Sequence, residues 1–381
     1  MKKFEVITDI YFGENALERL SQLECKKAFV IADPFVVDSG LIRHITRPLD
    51  RGNIEYEIYT DVCADPTTEK VIAGIAAAVK EDPDYIIAVG GGSAMDLAKA
   101  IRKIAQQMDK NFNPRLIAIP TTSGTGSEVT SFSVITDTET HSKIPLASPD
   151  MTPDEAILDE VLVKSVPASV TADTGMDVLT HAIEAYVSIN NNEFSGALAE
   201  KSIEICGQFL YRSYMDNNDA HARRKVHIAA CLAGLAFNSA SLGLNHGMAH
   251  QLGANFHIPH GRANAMLLPL IIEYNSNINQ GSRSRQNYDP CVRKYCNIAR
   301  ILGLHGTNEI MTIHSLANYL RFMAEEMSIP MHLNEILSCT KEEYESHIEE
   351  MAVAAINDAC TQTNPRIPTK EEIIAIYKKL W

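Results

Sequence analysis

Tyr85-Ile86-Ile87-Ala88-Val89 runs without a break into Gly90-Gly91-Gly92-Ser93 and then into Ala94-Met95-Asp96-Leu97-Ala98-Lys99-Ala100. An apolar run with no polar alternation leaves no face for water, so 85–89 reads as a strand buried on both sides. The segment after the glycines is rich in helix formers, which makes the whole stretch a strand, a glycine turn and a helix. Such a turn lets backbone amides approach a ligand with no Cβ in the way, at the positive end of a helix, where phosphate binds. The same letters also read as a plain tight turn. They are not G-x-G-x-x-G, and they sit on a later strand than a Rossmann fingerprint would.

Working outward, residues 28–32 read as a buried strand, 68–79 as a helix, 93–104 as a helix and 116–119 as a strand. This β-α-β rhythm predicts a Rossmann-like parallel sheet with helices on both faces. A second polar loop, Pro120-Thr121-Thr122-Ser123-Gly124-Thr125-Gly126-Ser127, comes after the next strand and should lie beside the triple glycine. Two adjacent donor-rich loops suggest a dinucleotide. Asp33, at the end of the first clear strand, is suited to accept hydrogen bonds from a ribose and to repel the 2′-phosphate of NADP. Asp33-Pro34 reads equally as a helix cap. Residues 129–136 read as a further strand in a hairpin that leaves the parallel core.

From about Pro167 the pattern changes to long Ala-rich helical segments at 170–187, 195–210 and 222–240. The expectation is an α/β dinucleotide-binding domain over 1–166 and an all-α domain over 167–381. Pro149, Pro153 and Pro167 mark a hinge. Residues 275–288, rich in Asn, Ser and Gln, read as an exposed loop or frayed helix end.

The second domain carries Asn245-His246-Gly247-Met248-Ala249-His250, with His260 further on in Pro259-His260-Gly261, so four of the chain's 13 histidines fall between 246 and 260. His246 and His250 share one face of a helix, and Asp177 and His181 form another i, i+4 pair. A lone Asp-x-x-x-His is ordinarily a hydrogen-bonded pair, but packing explains several clustered histidines poorly. Nitrogen and oxygen donors from separate elements suit ferrous iron or zinc rather than a thiolate-loving ion. Spacing alone does not say which histidines bind.

Composition narrows the class. A length of 381 residues favours two domains, and 45% hydrophobic content suits a globular enzyme. The formal charge of -14 argues against nucleic acid or an anionic membrane as partner. No uninterrupted apolar run reaches spanning length, and Met1-Lys2-Lys3-Phe4-Glu5 lacks the apolar run of a signal peptide, so a cytoplasmic location is expected. Eight scattered cysteines without a Cys-x-x-Cys pair fit reduced thiols, and none is expected to bind metal. Cys231, in an Ala-rich helical run, reads as a core residue.

In combination these stretches resemble the iron-containing, or group III, alcohol dehydrogenases. The resemblance rests on Gly90-Gly91-Gly92-Ser93 with Asp96, Pro120 through Thr130, Gly175-Met176-Asp177 through Tyr186, His246 through Gly253, and Pro259-His260-Gly261, and it covers nearly the whole chain. It implies a dehydroquinate synthase-like architecture with the active site in a cleft between the two domains. It also implies metal ligands at Asp177, His181, His246 and His260, with His250 near the nicotinamide. Dinucleotide contacts carry over to Asp33, Gly91, Gly92, Ser93, Asp96, Thr121, Thr122, Thr125 and Lys143, the last singled out by the resemblance alone. Asp65 stands where many of those relatives carry Asn.

Finer matches, among them Leu242-Gly243-Leu244-Asn245-His246 and Thr363-Asn364-Pro365-Arg366, are similar to the propanol dehydrogenases of propanediol-degrading bacteria. The 1,3-propanediol, lactaldehyde and butanol dehydrogenases share the metal and cofactor motifs. The resemblance thus implies an NAD(H)-linked interconversion of short primary alcohols and aldehydes, with NAD(H) preferred to NADP(H). Fe2+ is the expected ion, Zn2+ an alternative occupant, and His250 the proton relay. A homodimer or larger homo-oligomer is implied as well, with packaging in a bacterial microcompartment as an alternative to the free cytoplasm. A dehydroquinate synthase-like lyase would need several basic residues beside the metal motif, and only Arg262 lies there. A non-enzymatic sensor would have no use for His250.

Overall fold

The alternation of side chains along the central strand organises the first unit. Strands β1 (Asp9–Phe12), β2 (Lys27–Ala32), β3 (Glu55–Tyr59), β4 (Tyr85–Gly90), β5 (Arg115–Pro120), β6 (Phe132–Thr136), β7 (Lys143–Ala147) and β8 (Glu155–Leu158) are interleaved with helices α1 (Pro34–Asp38), α2 (Arg43–Arg51), α3 (Thr68–Glu81) and α4 (Gly92–Met108). The computed structural model describes residues 3–139, 143–277 and 289–381. Two compact units divide the chain, Met1–Ser165 and Val166–Trp381.

Six strands form a wholly parallel sheet in the order β1-β8-β5-β4-β2-β3. Along β4, Ile86 and Ala88 pack with Ile75 of α3 and Leu97 of α4 on one face. Tyr85, Ile87 and Val89 pack with Leu17, Ile45 and Leu49 on the other. Both faces are thus covered, which is why the strand reads as an unbroken apolar run. The ribbon β6-β7 is antiparallel and stands apart from the sheet.

Strand order reverses between β2 and β4: the chain leaves β2 toward β3 on one side and returns to β4 on the other. In open parallel sheets ligands bind outside the carboxyl ends at such a reversal. Here those ends are Asp33 and Gly90–Gly92, tied together by the Asp33 amide donating to the Val89 carbonyl at 3.0 Å.

Among its described residues the regular elements of the second unit are all helices: α5 (Ala168–Val187), α6 (Glu193–Met215), α7 (Ala220–Ala240), α8 (Leu244–Phe256), α9 (His260–Ser276), α10 (Asp289–Ile301), α11 (Glu309–Glu326), α12 (Lys341–Asn357) and α13 (Lys370–Lys378). Helix α5 packs against α6, α7 and α9 and is buried along nearly all of its second half. Between α7 and α8 the chain bends by 108° at Ser241, whose φ of 61° lies in the left-handed region. No single helix among the described residues is long and apolar enough to cross a membrane.

One expectation needs correction. Asn275, Ser276 and Asn277 are buried rather than exposed, because their polar groups find partners inside the unit: Asn275 Nδ2 donates to Tyr295 and Asn364, and Asn277 Oδ1 accepts from Arg366. The remainder of that stretch, 278–288, lies outside the described residues.

Candidate functional site

Asp177 and His181 lie one turn apart on α5, His246 on the first turn of α8, and His260 opens α9. One ligand atom from each lies within 4.8 Å of all the others. Asp177 Oδ1 is the focus, with the Nε2 atoms of His246 and His260 each at 3.6 Å and that of His181 at 3.9 Å. Asn264 donates its Nδ2 to Asp177 Oδ1 at 2.7 Å and stands 3.1 Å from both the His246 and His260 Nε2 atoms. An amide nitrogen has two hydrogens, and three acceptor positions face this one. That excess of lone pairs is the pattern a cation satisfies, and one carboxylate with three imidazoles fits ferrous iron or zinc.

The electrostatics agree. Burial opposes ionisation of Asp177, yet His181, His260 and His246 outweigh it and hold the carboxyl below its ordinary range. Desolvation of the ring nitrogens inside the cluster draws His260 down to about 3, although its side chain is 43% exposed, which favours a free lone pair there. His246 is opposed by burial but drawn up to about 9, chiefly by Glu184. The Glu184 carboxylate sits 2.5 Å from His246 Nδ1, so Nδ1 carries the proton and Nε2 faces the focus. Glu184 also accepts from the Asn245 amide at 2.7 Å, at the start of a helix with no side-chain cap of its own, where a carboxylate is favoured by the exposed amides. Gly243 makes this approach possible, since a Cβ there would come within 2.7 Å of Glu184 Oε1.

His250, one turn beyond His246, stacks on His260 with ring centroids 5.4 Å apart. Its Nδ1 lies 2.7 Å from Asp358 Oδ2, which leaves Nε2 as the lone-pair atom.

In the first unit, α4 begins at Gly92 with Gly91 at its cap and no side chain bonded to the first-turn amides. A Cβ on Gly92 would stand 3.0 Å from Thr125 Cγ2, one on Gly91 3.7 Å from Thr122 Oγ1, and one on Gly90 3.1 Å from the Asp33 Cβ. Asp33, Gly91, Gly92, Thr122 and Thr125 therefore line one cradle with open amides, Ser93 lies in the first turn of α4, and the Thr121 amide donates to the Gly90 carbonyl at 2.9 Å. Such a cradle fits a pyrophosphate. Asp33 also caps α1, accepting from the Phe35 amide at 2.9 Å through Oδ1, which bears out the capping reading. Asp96 is placed differently: its oxygens accept from Ser127 Oγ and the Val134 amide, each at 3.0 Å, fastening α4 to the loop and ribbon beyond. Lys143, on β7, pairs with Asp65, which adopts a φ of 54°, a conformation Asp and Asn tolerate better than most residues.

Comparison with known proteins agrees with this geometry. Residues 8–160 match the family described as iron-containing alcohol dehydrogenase, and residues 171–381 match its C-terminal part, the Fe-containing alcohol dehydrogenase family, C-terminal. The chain belongs to the iron-containing alcohol dehydrogenase family. It is 40% identical to a 1-propanol dehydrogenase of Citrobacter freundii, over 100% of both chains. It is 38% identical to an NADPH-dependent butanol dehydrogenase of Clostridium saccharobutylicum, over 99% of this chain and 97% of that one. Among solved structures, a 1,3-propanediol oxidoreductase superposes with a TM-score of 0.91 at 32% identity over 100% of both chains.

Glu184, Asn264 and Asp358 are not singled out by sequence reading in this iron-containing alcohol dehydrogenase. Glu184 had a signal, lying three residues after His181 and seven after Asp177 on one helical face. Asp358 is 108 residues from His250, and no local pattern links them.

Proposed function

We propose that this alcohol dehydrogenase interconverts short primary alcohols and aldehydes, propanol and propanal foremost, with NAD(H) and a divalent ion, ferrous iron or alternatively zinc, held by Asp177, His181, His246 and His260. The convergence of three imidazole Nε2 atoms on Asp177 Oδ1 carries the reading. A divalent ion there supplies Lewis acidity to an alcohol or carbonyl oxygen. His250 Nε2 takes the hydroxyl proton during oxidation and returns it during reduction; a bound nicotinamide would supply the acceptor or donor of the hydride. Asp358, by accepting from Nδ1, orients the ring and fixes the neutral tautomer whose lone pair is on Nε2.

Gly91, Gly92 and Ser93 hold the pyrophosphate, with Thr121, Thr122, Thr125 and Lys143 beside it. Asp33 offers its second oxygen to a ribose and repels a 2′-phosphate, which supports NAD(H) even though the butanol relative uses NADPH. Short-chain alcohols in the names of the similar enzymes support the substrate class.

The test is anaerobic NADH oxidation with propanal on protein stripped of metal and reloaded with Fe2+. Turnover should depend on iron, and His260→Ala should lose it while NADH affinity stays within about threefold of wild type. Equal turnover by the stripped protein would sink the metal reading. Inactivity toward propanal with iron and NADH bound would move the substrate to diols or longer aldehydes.

A further inference from the structure

We propose that His250, Asp358 and Cys360 form a second cation site, selective for zinc, separate from the Asp177 cluster. Their ligand atoms lie within 4.8 Å of one another. The carboxylate of Asp358 is its centre: Oδ2 faces His250 Nδ1 at 2.7 Å, Oδ1 accepts the Cys360 amide at 2.8 Å, and the Cys360 thiol lies within 4.8 Å of the same cluster. A cation settling among these groups takes the place of two protons, the one between imidazole and carboxylate and the one on sulfur.

The turn that carries two of the three donors is held firmly. Thr361 Oγ1 donates to the Ala355 carbonyl at 2.6 Å, and a Cβ on Gly247 would overlap Thr361 Oγ1, so the turn lies directly on α8 one turn from His250. The His250 side chain is 40% exposed and that of Asp358 16%, so an ion can reach the cluster from the imidazole side, and three protein donors are the set that three-ligand zinc sites use. Burial raises the Cys360 thiol well above its ordinary pKa, so the thiolate forms there when a cation balances it.

A donor set containing thiolate selects a different ion from the first cluster, which has none: zinc is favoured over ferrous iron when sulfur is present. The proposal departs from the expectation that no cysteine binds metal, which sequence spacing alone suggested because Cys360 lies 110 positions from His250. Occupation would also have a consequence that rests on the proposed relay: zinc held on His250 Nδ1 removes the proton that fixes its tautomer, so turnover stops.

The experiment uses the full iron-loaded chain under argon, titrated with Co2+ and then Zn2+. Thiolate bound to cobalt has a charge-transfer band in the near ultraviolet that carboxylate and imidazole ligands do not produce. The band should appear in wild type, vanish on adding Zn2+, and be missing in Cys360→Ser and Cys360→Ala. The concentration of Zn2+ that halves propanal reduction should rise about tenfold or more in Cys360→Ser, whose uninhibited rate stays that of wild type. No band in wild type, or the same band in both variants, overturns the site. Zinc inhibition unchanged in Cys360→Ser would mean exchange at the first cluster and overturns it as well. Because the band needs no turnover, it survives even if the proposed alcohol chemistry fails, so the two failures are distinguishable.

Discussion

Asp33 caps α1 with one oxygen, so a test of the proposed cofactor role of the other has to preserve that cap. Serine is among the best residues at a helix start, which makes Asp33→Ser the clean change: α1 keeps its cap while the charge that faces a 2′-phosphate is lost. The ratio of kcat/KM for NADPH to that for NADH should rise about tenfold or more, a shift of about 1.4 kcal/mol, in competition kinetics. An unchanged ratio removes Asp33 from the ribose site. The cap is legible in the sequence, because Asp at the end of a strand before Pro carries that signal, and the same position is what suggests the ribose contact that this variant tests.

Glu128 is the contrary case. It lies 2% exposed just past the polar loop, and burial pushes its carboxyl up to about 7, which nothing in its sequence neighbourhood announces. The folded chain therefore holds a proton that the unfolded chain releases above its ordinary pKa, so stability from this group is full below about pH 4.5 and is lost as pH rises toward 7. Glu128→Gln should flatten the difference in thermal midpoint between about pH 5 and pH 8; an equal difference in both proteins would show that Glu128 ionises freely.

At the scale of elements, the approach of α9 to α5 decides whether His260 reaches Asp177. Gly261 permits it: a Cβ there would overlap the carbonyl of Asp173, a backbone group that cannot rotate away as a side chain can. Gly261→Ala should destabilise the protein by about 1–3 kcal/mol and lower its iron content after reconstitution, measured by thermal melting and metal analysis together. Wild-type iron content in the variant would show that α9 has slack to give. The sequence discloses the long elements but not this contact. It reveals 28–32, 85–89 and 116–119 because those strands are apolar on both faces. Strand β3, spelled Glu55-Tyr56-Glu57-Ile58-Tyr59, escapes because it is an edge strand with one neighbour. Strands β1 and β8, four residues each, are too short to show a period. The bend between α7 and α8 is equally silent, since it depends on one left-handed serine, yet it brings His246 to Glu184.

For the molecule as a whole, the two ligand classes belong to different units. Every donor of the Asp177 cluster comes from α5, α8 or α9, and every residue of the glycine cradle comes from the sheet unit. A ligand stabilises the folded state it binds in proportion to the logarithm of its excess over Kd, about 4 kcal/mol at a thousandfold excess, and local openings of the elements that hold it feel that stabilisation first. Iron loading should therefore slow amide hydrogen exchange in α5, α8 and α9, with little change in β2, β4 and the start of α4. NADH without metal should do the reverse, protecting the residues around Gly90–Gly92 and Asp33. Mass-resolved exchange on the two singly loaded forms reads both patterns. Iron-dependent protection confined to the sheet unit would place the ion away from Asp177. NADH protection that leaves the glycine turn unchanged would remove the dinucleotide from the strand-order reversal, whatever rate the enzyme shows with propanal.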